Sequence, residues 1–288
     1  MAKHEPSTPT DKVINARSPW TATRRNWAFP SNPYKMSEPA WQALLARAKQ
    51  GDPEAEWEIS GRYEDGCKNL RGEIIVRRSP RKYAQWLRRA AAHGAAAAQN
   101  NLGILLGNGD QVRKNVPEAL YWLKRAFRAG DCCAAQNIAI TYRQIGDLKS
   151  AFNWFRKSAK SSDGDALIQL GIHYYWGNGT RKNAKTAVAC FRRAAKVKNI
   201  CESGRDDAFF WLGVAYLQGR GVKPSIANAR RAFDRANIDH DHPAARKMLR
   251  LLHASQRRIP SCTFVPFVVP ALTSRSFFKC TCVSQTRC

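Results

Sequence analysis

Acidic side chains are scarce in this 288-residue sequence: 22 aspartates and glutamates face 48 lysines and arginines, a formal charge of +26. A chain this basic attracts polyanions whatever its purpose. Long apolar runs are missing as well. The stretch Phe264 to Leu272 is short and broken by Pro266 and Pro270, so it does not read as a membrane span. Residues 1–36 carry no apolar core of a secretion signal. There is no G-x-S-x-G, no H-E-x-x-H and no phosphate loop, and the G-x-G pieces lack a preceding strand and a third glycine. Those absences remove the common hydrolytic, metalloprotease and nucleotide-binding chemistries, and no enzyme is expected. The nine cysteines are odd in number, and Cys262, Cys280, Cys282 and Cys288 lack a paired C-x-x-C frame. No zinc site and no cofactor is expected, and reduced thiols in the cytoplasm are. Asp239-His240-Asp241-His242 directly precedes Pro243 and reads as helix capping rather than a metal cluster.

What is present is repetition. Ala98-x-x-x-Leu102-Gly103-x-x-Leu106, then Asn115, Ala119, Trp122 and Ala126, aligns with Ala166, Leu170, Gly171, Tyr174, Asn183, Ala187, Cys190 and Ala194. The register carries to five units starting near Ala55, Ala98, Ala134, Ala166 and Ala208, and a period of that size means stacked supersecondary units. The first unit has an insertion near Cys67 to Ile75 and the third is shortened. Both changes fall between two helices, where length is tolerated.

Within a unit, positions 1, 5, 6 and 9 are apolar or small, as are positions 22, 25, 29 and 30, which makes two helical faces and hence a helix hairpin. Alanine or glycine at positions 1, 6 and 29 lets helix axes approach, and Leu102, Trp122, Tyr142 and Trp154 fill the remaining space. Gly177-Asn178-Gly179 and Gly219-Arg220-Gly221 suit left-handed turns where the first helix stops. Ser79, Asn115, Asn183 and Ser225 stand where the second helix should be capped, with Pro80 after Ser79.

These residues resemble the Sel-1-like repeats, a branch of the tetratricopeptide-type α-solenoids, over roughly Pro39 to Leu252. Cys190 and Ala232 depart from the usual aromatic, and Cys190 is expected to be buried. The resemblance implies an all-α fold, a right-handed superhelix of about five repeats whose first helices line a concave face, and a role as adaptor or scaffold. The expected organisation is an arm over 1–37, a solenoid over 38–255 with capping helices at Pro39–Gly51 and Pro243–Leu252, and a basic cysteine-containing tail over 256–288.

Two surfaces are candidates for binding. Helix positions 4 and 8 of the first helices are expected to line the groove, with Asn101, Asn137, Gln169 and His173 offering polar contacts to a peptide and Trp176 and Trp211 offering flat anchors. Positions 27 and 28 of the second helices pair cations: Arg88-Arg89, Lys124-Arg125, Arg156-Lys157 and Arg192-Arg193. Stacked, they form a basic edge suited to an acidic protein. Favourable placement near helix C-termini, with the charges left solvated, is the simpler account of them. The leading expectation is a protein or peptide partner in the groove, as in a bacterial immunity or regulatory protein. The alternative is a nucleic-acid- or ribosome-associated protein held by the basic edge, although no specific nucleic-acid motif is present.

Overall fold

The computed structural model describes residues 35–258, apart from 110–111, 162–163, 198–201 and 239–241. The arm before Lys35, the tail after Arg258 with its four cysteines, Cys201 and Asp239-His240-Asp241 lie outside the described residues. Twelve helices occur among those described: α1 (Glu38–Lys49), α2 (Pro53–Asp65), α3 (Pro80–His93), α4 (Ala96–Asn108), α5 (Val116–Arg128), α6 (Ala134–Gln144), α7 (Leu148–Ser158), α8 (Gly164–Trp176), α9 (Ala184–Ala194), α10 (Glu202–Gln218), α11 (Ile226–Arg235) and α12 (Pro243–Arg258). They pack as the hairpins α2/α3, α4/α5, α6/α7, α8/α9 and α10/α11. Each hairpin leans on the next, with α1 against α2 and α12 against α11. This is an all-α solenoid of five units between two single helices.

Local chemistry sets the helix starts. Ser79, Asn115, Asn183 and Ser225 each accept a hydrogen bond from the backbone N–H three residues on, at Lys82, Glu118, Thr186 and Asn228, which satisfies one of the donors that a helix start leaves open. Asp52 and Asp147 do the same for α2 and α7. Backbone hydrogen bonds from Ala55, then the Arg47 guanidinium, hold the Asp52 carboxyl below its ordinary value of 3.8.

Position 6 decides how closely the two helices of a unit meet. Gly103, Gly171 and Gly213 face the large residue at position 26, respectively Leu123, Phe191 and Phe233, so closely that a β-carbon would intrude on it. In the shortened third unit, Ala139 and Phe155 pack in one cluster instead. Turn glycines lock one unit to its predecessor: Gly179 (φ 65) and Gly221 (φ 75) leave no room for a β-carbon against the carbonyls of Leu148 and Ala184, at the starts of α7 and α9. The loop that ends one first helix therefore seats on the second helix of the previous unit.

The first-unit insertion forms a small antiparallel hairpin of β1 (Cys67–Lys68) and β2 (Ile74–Val76). Lys35 pairs with Lys68, and Met36 N–H donates to the Lys68 carbonyl at 2.9 Å. The last residues assigned to the arm are thus tied to the body. At the other end α12 runs to Arg258, past the expected solenoid boundary. His242 supplies its cap: Nδ1 accepts from Ala245 N–H at 3.1 Å and Nε2 lies 3.2 Å from Asp207 Oδ1.

Candidate interaction surfaces

The groove positions are mostly consumed by the fold. Trp211, expected as an exposed anchor, is only 7% exposed. Its ring stacks on Phe191 with 5.9 Å between centroids and 16° between planes, and it also meets Tyr175 and Phe210. His173 is likewise buried. Its Nδ1 donates to the Asn178 carbonyl at 2.7 Å, and its ring lies among Phe152 and Phe155. Burial, reinforced by the charge of Arg143, holds the His173 imidazole below its ordinary 6.5.

The amides tie neighbouring units. Gln169 is buried and accepts from Arg143 Nη1 at 2.8 Å, while Asn137 Nδ2 donates to Asn100 Oδ1 at 2.9 Å. Burial brings the Arg143 guanidinium down to about 10, and its Cζ stands 5.8 Å from the Phe155 ring centre. Asn101 and Asn137 stay half-buried and Trp176 is exposed. The expected polar groove is thereby reduced to Asn101, part of Asn137 and the rim at Trp176. Arg62, Leu105, Thr141 and Ala215, which share the same repeat positions, are buried too.

The basic edge keeps its cations at the surface and gives them an order that the pairing alone does not reveal. Arg89 lies over the Trp86 ring at 4.5 Å, Arg125 over Trp122 at 5.5 Å and Lys157 over Trp154 at 4.0 Å. In each case the cation at position 28 covers the aromatic residue three positions earlier on its own helix, the spacing that puts two side chains on one face. At position 27, Lys124 and Arg192 reach forward to the next unit, Lys124 lying 5.6 Å from the Tyr142 ring and Arg192 donating to the Tyr216 hydroxyl at 3.2 Å, whereas Arg156 stays over Phe152 of its own helix at 5.9 Å. Phe127 meets Trp154 edge-on at 5.3 Å, so the aromatic shelf continues across the unit boundary. The spacing Trp86-x-x-Arg89, Trp122-x-x-Arg125 and Trp154-x-x-Lys157 was the available signal in the sequence. At Cys190 the shelf has a gap: no aromatic lies three residues before Arg193, and burial pushes that thiol up.

The cations are not equivalent. Arg88 pairs with Glu118 at 2.6 Å, and Arg89 pairs at 2.8 Å with the buried Glu56, which also meets His93 at 2.7 Å. Among the described residues, no carboxylate pairs with Lys124, Arg125, Arg156, Lys157, Arg192 or Arg193. Among the position 27 and 28 cations, those without a carboxylate partner therefore begin at the second unit.

Comparison with known proteins agrees with this architecture. A Sel1 repeat model matches residues 61–94, 96–131, 143–163, 164–198 and 207–234. The Neisseria meningitidis serogroup B protein NMB1327, itself uncharacterized, is 29% identical over 168 residues, 57% of this chain. The chain spans 33% of that relative's length. Among solved structures, a protective antigen of uropathogenic Escherichia coli with an SLR fold superposes with a TM-score of 0.64 at 25% identity, over 75% of this chain and 44% of that one. A Sel1 repeat protein from Oxalobacter formigenes gives 0.61 at 25% identity, over 73% and 83%.

Proposed function

The chain belongs to the Sel1 repeat family, and we propose that it is a non-enzymatic adaptor holding an acidic protein partner along its second-helix edge. One observation carries this reading: edge cations on successive units lie against aromatic rings or reach across the unit boundary, and none of Lys124, Arg125, Arg156, Lys157, Arg192 and Arg193 has a carboxylate partner among the described residues. A cation resting on a ring has already given up part of its rotamer freedom, so a partner carboxylate meets a more ordered donor. Arg156, Lys157, Arg192 and Arg193 are exposed and Lys124 and Arg125 half-buried, and surface cations of this kind contribute little to folding by themselves. Their value is in association, where complementary charge steers encounter and orients the partner.

The same geometry disfavours a single-stranded nucleic acid. Proteins that bind such strands without sequence preference present open aromatic faces for bases to stack on. Here one face of Trp86, Trp122 and Trp154 is occupied by the chain's own cation. The groove remains a second contact zone through Asn101, Asn137 and Trp176, and a peptide extending from the edge reaches it only at the rim.

Fluorescence anisotropy with the full chain tests the assignment, using a labelled all-glutamate peptide and a labelled oligouridylate of equal charge. The peptide should bind, and changing Lys124, Arg125, Arg156 and Lys157 to glutamine should abolish that binding. Asn101→Ala with Asn137→Ala should leave it unchanged. If the asparagine pair alone removes binding, the partner lies in the groove. Tighter binding of the oligouridylate, with a steep loss between low and moderate salt, overturns the protein-partner reading in favour of a nucleic acid.

A further inference from the structure

We infer that Trp176 and Arg220 together form an anchor for one partner carboxylate lying next to an apolar side chain. The inference rests on the acidic-partner reading and gives it a focal point away from the ladder of cations. Arg220 sits in the turn after α10, between Gly219 (φ 64) and Gly221 (φ 75). The close seating of Gly221 on the Ala184 carbonyl fixes that turn, and Arg220 N–H donates to the Ala215 carbonyl at 3.1 Å. The guanidinium carbon lies 5.5 Å from the centre of the Tyr175 ring and 5.4 Å from that of Trp176. The two rings stand nearly at right angles, 79° apart with centroids at 5.3 Å, so the cation occupies a corner between them.

The corner is built on a rigid wall. Tyr175 is fully buried and its hydroxyl donates to Gln218 Oε1 at 2.7 Å, which prevents the ring from swinging away. Arg220 pairs with no carboxylate among the described residues, and its Nη1 is buried without a hydrogen bond. A guanidinium carries five N–H donors in a planar fork, and a carboxylate is the ligand that matches two of them at once. A buried donor without a partner is a cost that such a ligand relieves when the indole shifts to admit it.

Trp176 supplies the apolar half. At 46% it is the exposed tryptophan among those described, whereas Trp41 and Trp211 are buried and Trp57, Trp86, Trp122 and Trp154 are half-buried. Tryptophan and arginine side by side are the residue types that dominate binding energy at interfaces. Exposed Arg181, Lys182 and Lys223 on the neighbouring turns make the approach positive. The ligand is therefore an aspartate or glutamate of a polypeptide, flanked by leucine, phenylalanine or a similar side chain.

Two fluorescein-labelled peptides distinguish this anchor from the ladder, one all-glutamate and one alternating glutamate with leucine, each titrated with the full chain. Arg220→Gln should weaken the alternating peptide at least about tenfold, the loss expected for a hydrogen bond to a charged group. Trp176→Ala should weaken it about tenfold through lost apolar contact, and both should leave the all-glutamate peptide nearly unchanged. Arg220→Lys keeps the charge but lacks the fork, and should behave like Arg220→Gln, with circular dichroism melts confirming that each variant folds. Equal weakening of both peptides by Arg220→Gln, no weakening of either, or displacement of the alternating peptide by inorganic phosphate as readily as by free glutamate peptide would overturn the anchor. If neither peptide binds the parent chain, the acidic-partner reading falls together with the anchor. If the all-glutamate peptide binds and depends on Arg125 and Lys157 but Arg220→Gln is silent, only the anchor falls.

Discussion

Replacing Gly213 by alanine should destabilise the solenoid, although the same change at Gly61 should stabilise it. Both glycines lie inside helices, α10 and α2, without a positive φ. Backbone propensity alone favours alanine at either position by about 0.5 to 1 kcal/mol. At Gly61 nothing lies within 4 Å of the new β-carbon, so that gain is kept. At Gly213 the β-carbon would stand 2.6 Å from Phe233 Cε1, 2.7 Å from Cδ1 and 2.9 Å from Cζ. Ordinary contact begins at 3.4 Å, so the ring must retreat by roughly 0.8 Å. It has nowhere to go: Phe233 is fully buried and backed by Phe210 at 5.7 Å. Overpacking of this kind costs about 1 to 3 kcal/mol, which after the propensity gain leaves a net loss centred on ~1 kcal/mol within a range of about 0 to 2.5 kcal/mol.

Urea unfolding followed by circular dichroism measures the two signs, and hydrogen exchange of α10 and α11 amides localises the effect, because units of a repeat array can open separately. Phe233→Val removes Cδ1, Cε1 and Cζ, so in that background Gly213→Ala should turn neutral or stabilising, a coupling of about 2 kcal/mol. Equal stabilisation by Gly61→Ala and Gly213→Ala, or a loss at Gly213 that persists in Phe233→Val, would refute the close approach of positions 6 and 26.

Three further outcomes follow from the same structure. Asn183→Ala removes the acceptor for Thr186 N–H at 3.0 Å and should cost about 1 kcal/mol in thermal or urea unfolding. A double-mutant cycle on the exposed Arg88–Glu118 pair should give a coupling below about 1 kcal/mol that vanishes in high salt. His173 has a folded pKa below its ordinary 6.5, so between those values the unfolded chain binds more protons and stability rises with pH. Melting temperature should therefore fall as the pH drops below 6.5, and His173→Gln should flatten that dependence.

The repeat, the helix boundaries and the caps were legible because they depend on neighbours in the chain. Asn183 caps α9 through a residue three positions on, and Gly213 must be small to meet a side chain of its own hairpin. The cation shelf was half legible. The paired charges stood out, whereas Trp122 and Trp154, three residues before Arg125 and Lys157, were assigned only to packing. The groove misled because its exposure is not a property of any one unit. Gln169, His173 and Trp211 carry the right repeat positions for an open face, but each is covered by residues of an adjoining unit or turn: Arg143, Phe155 and Phe191.

The amino-acid pattern by itself therefore determined that five helix hairpins form and that they stack, since periodicity, small residues and capping groups act over a few residues to a few turns. Tertiary structure alone decided which faces stay open, which arginines are neutralised by a distant glutamate, and that Arg220 meets Tyr175 and Trp176 across a unit boundary. Exposure and charge pairing depend on how closely one unit approaches the next, and that distance comes from the packing of side chains many residues apart in the chain.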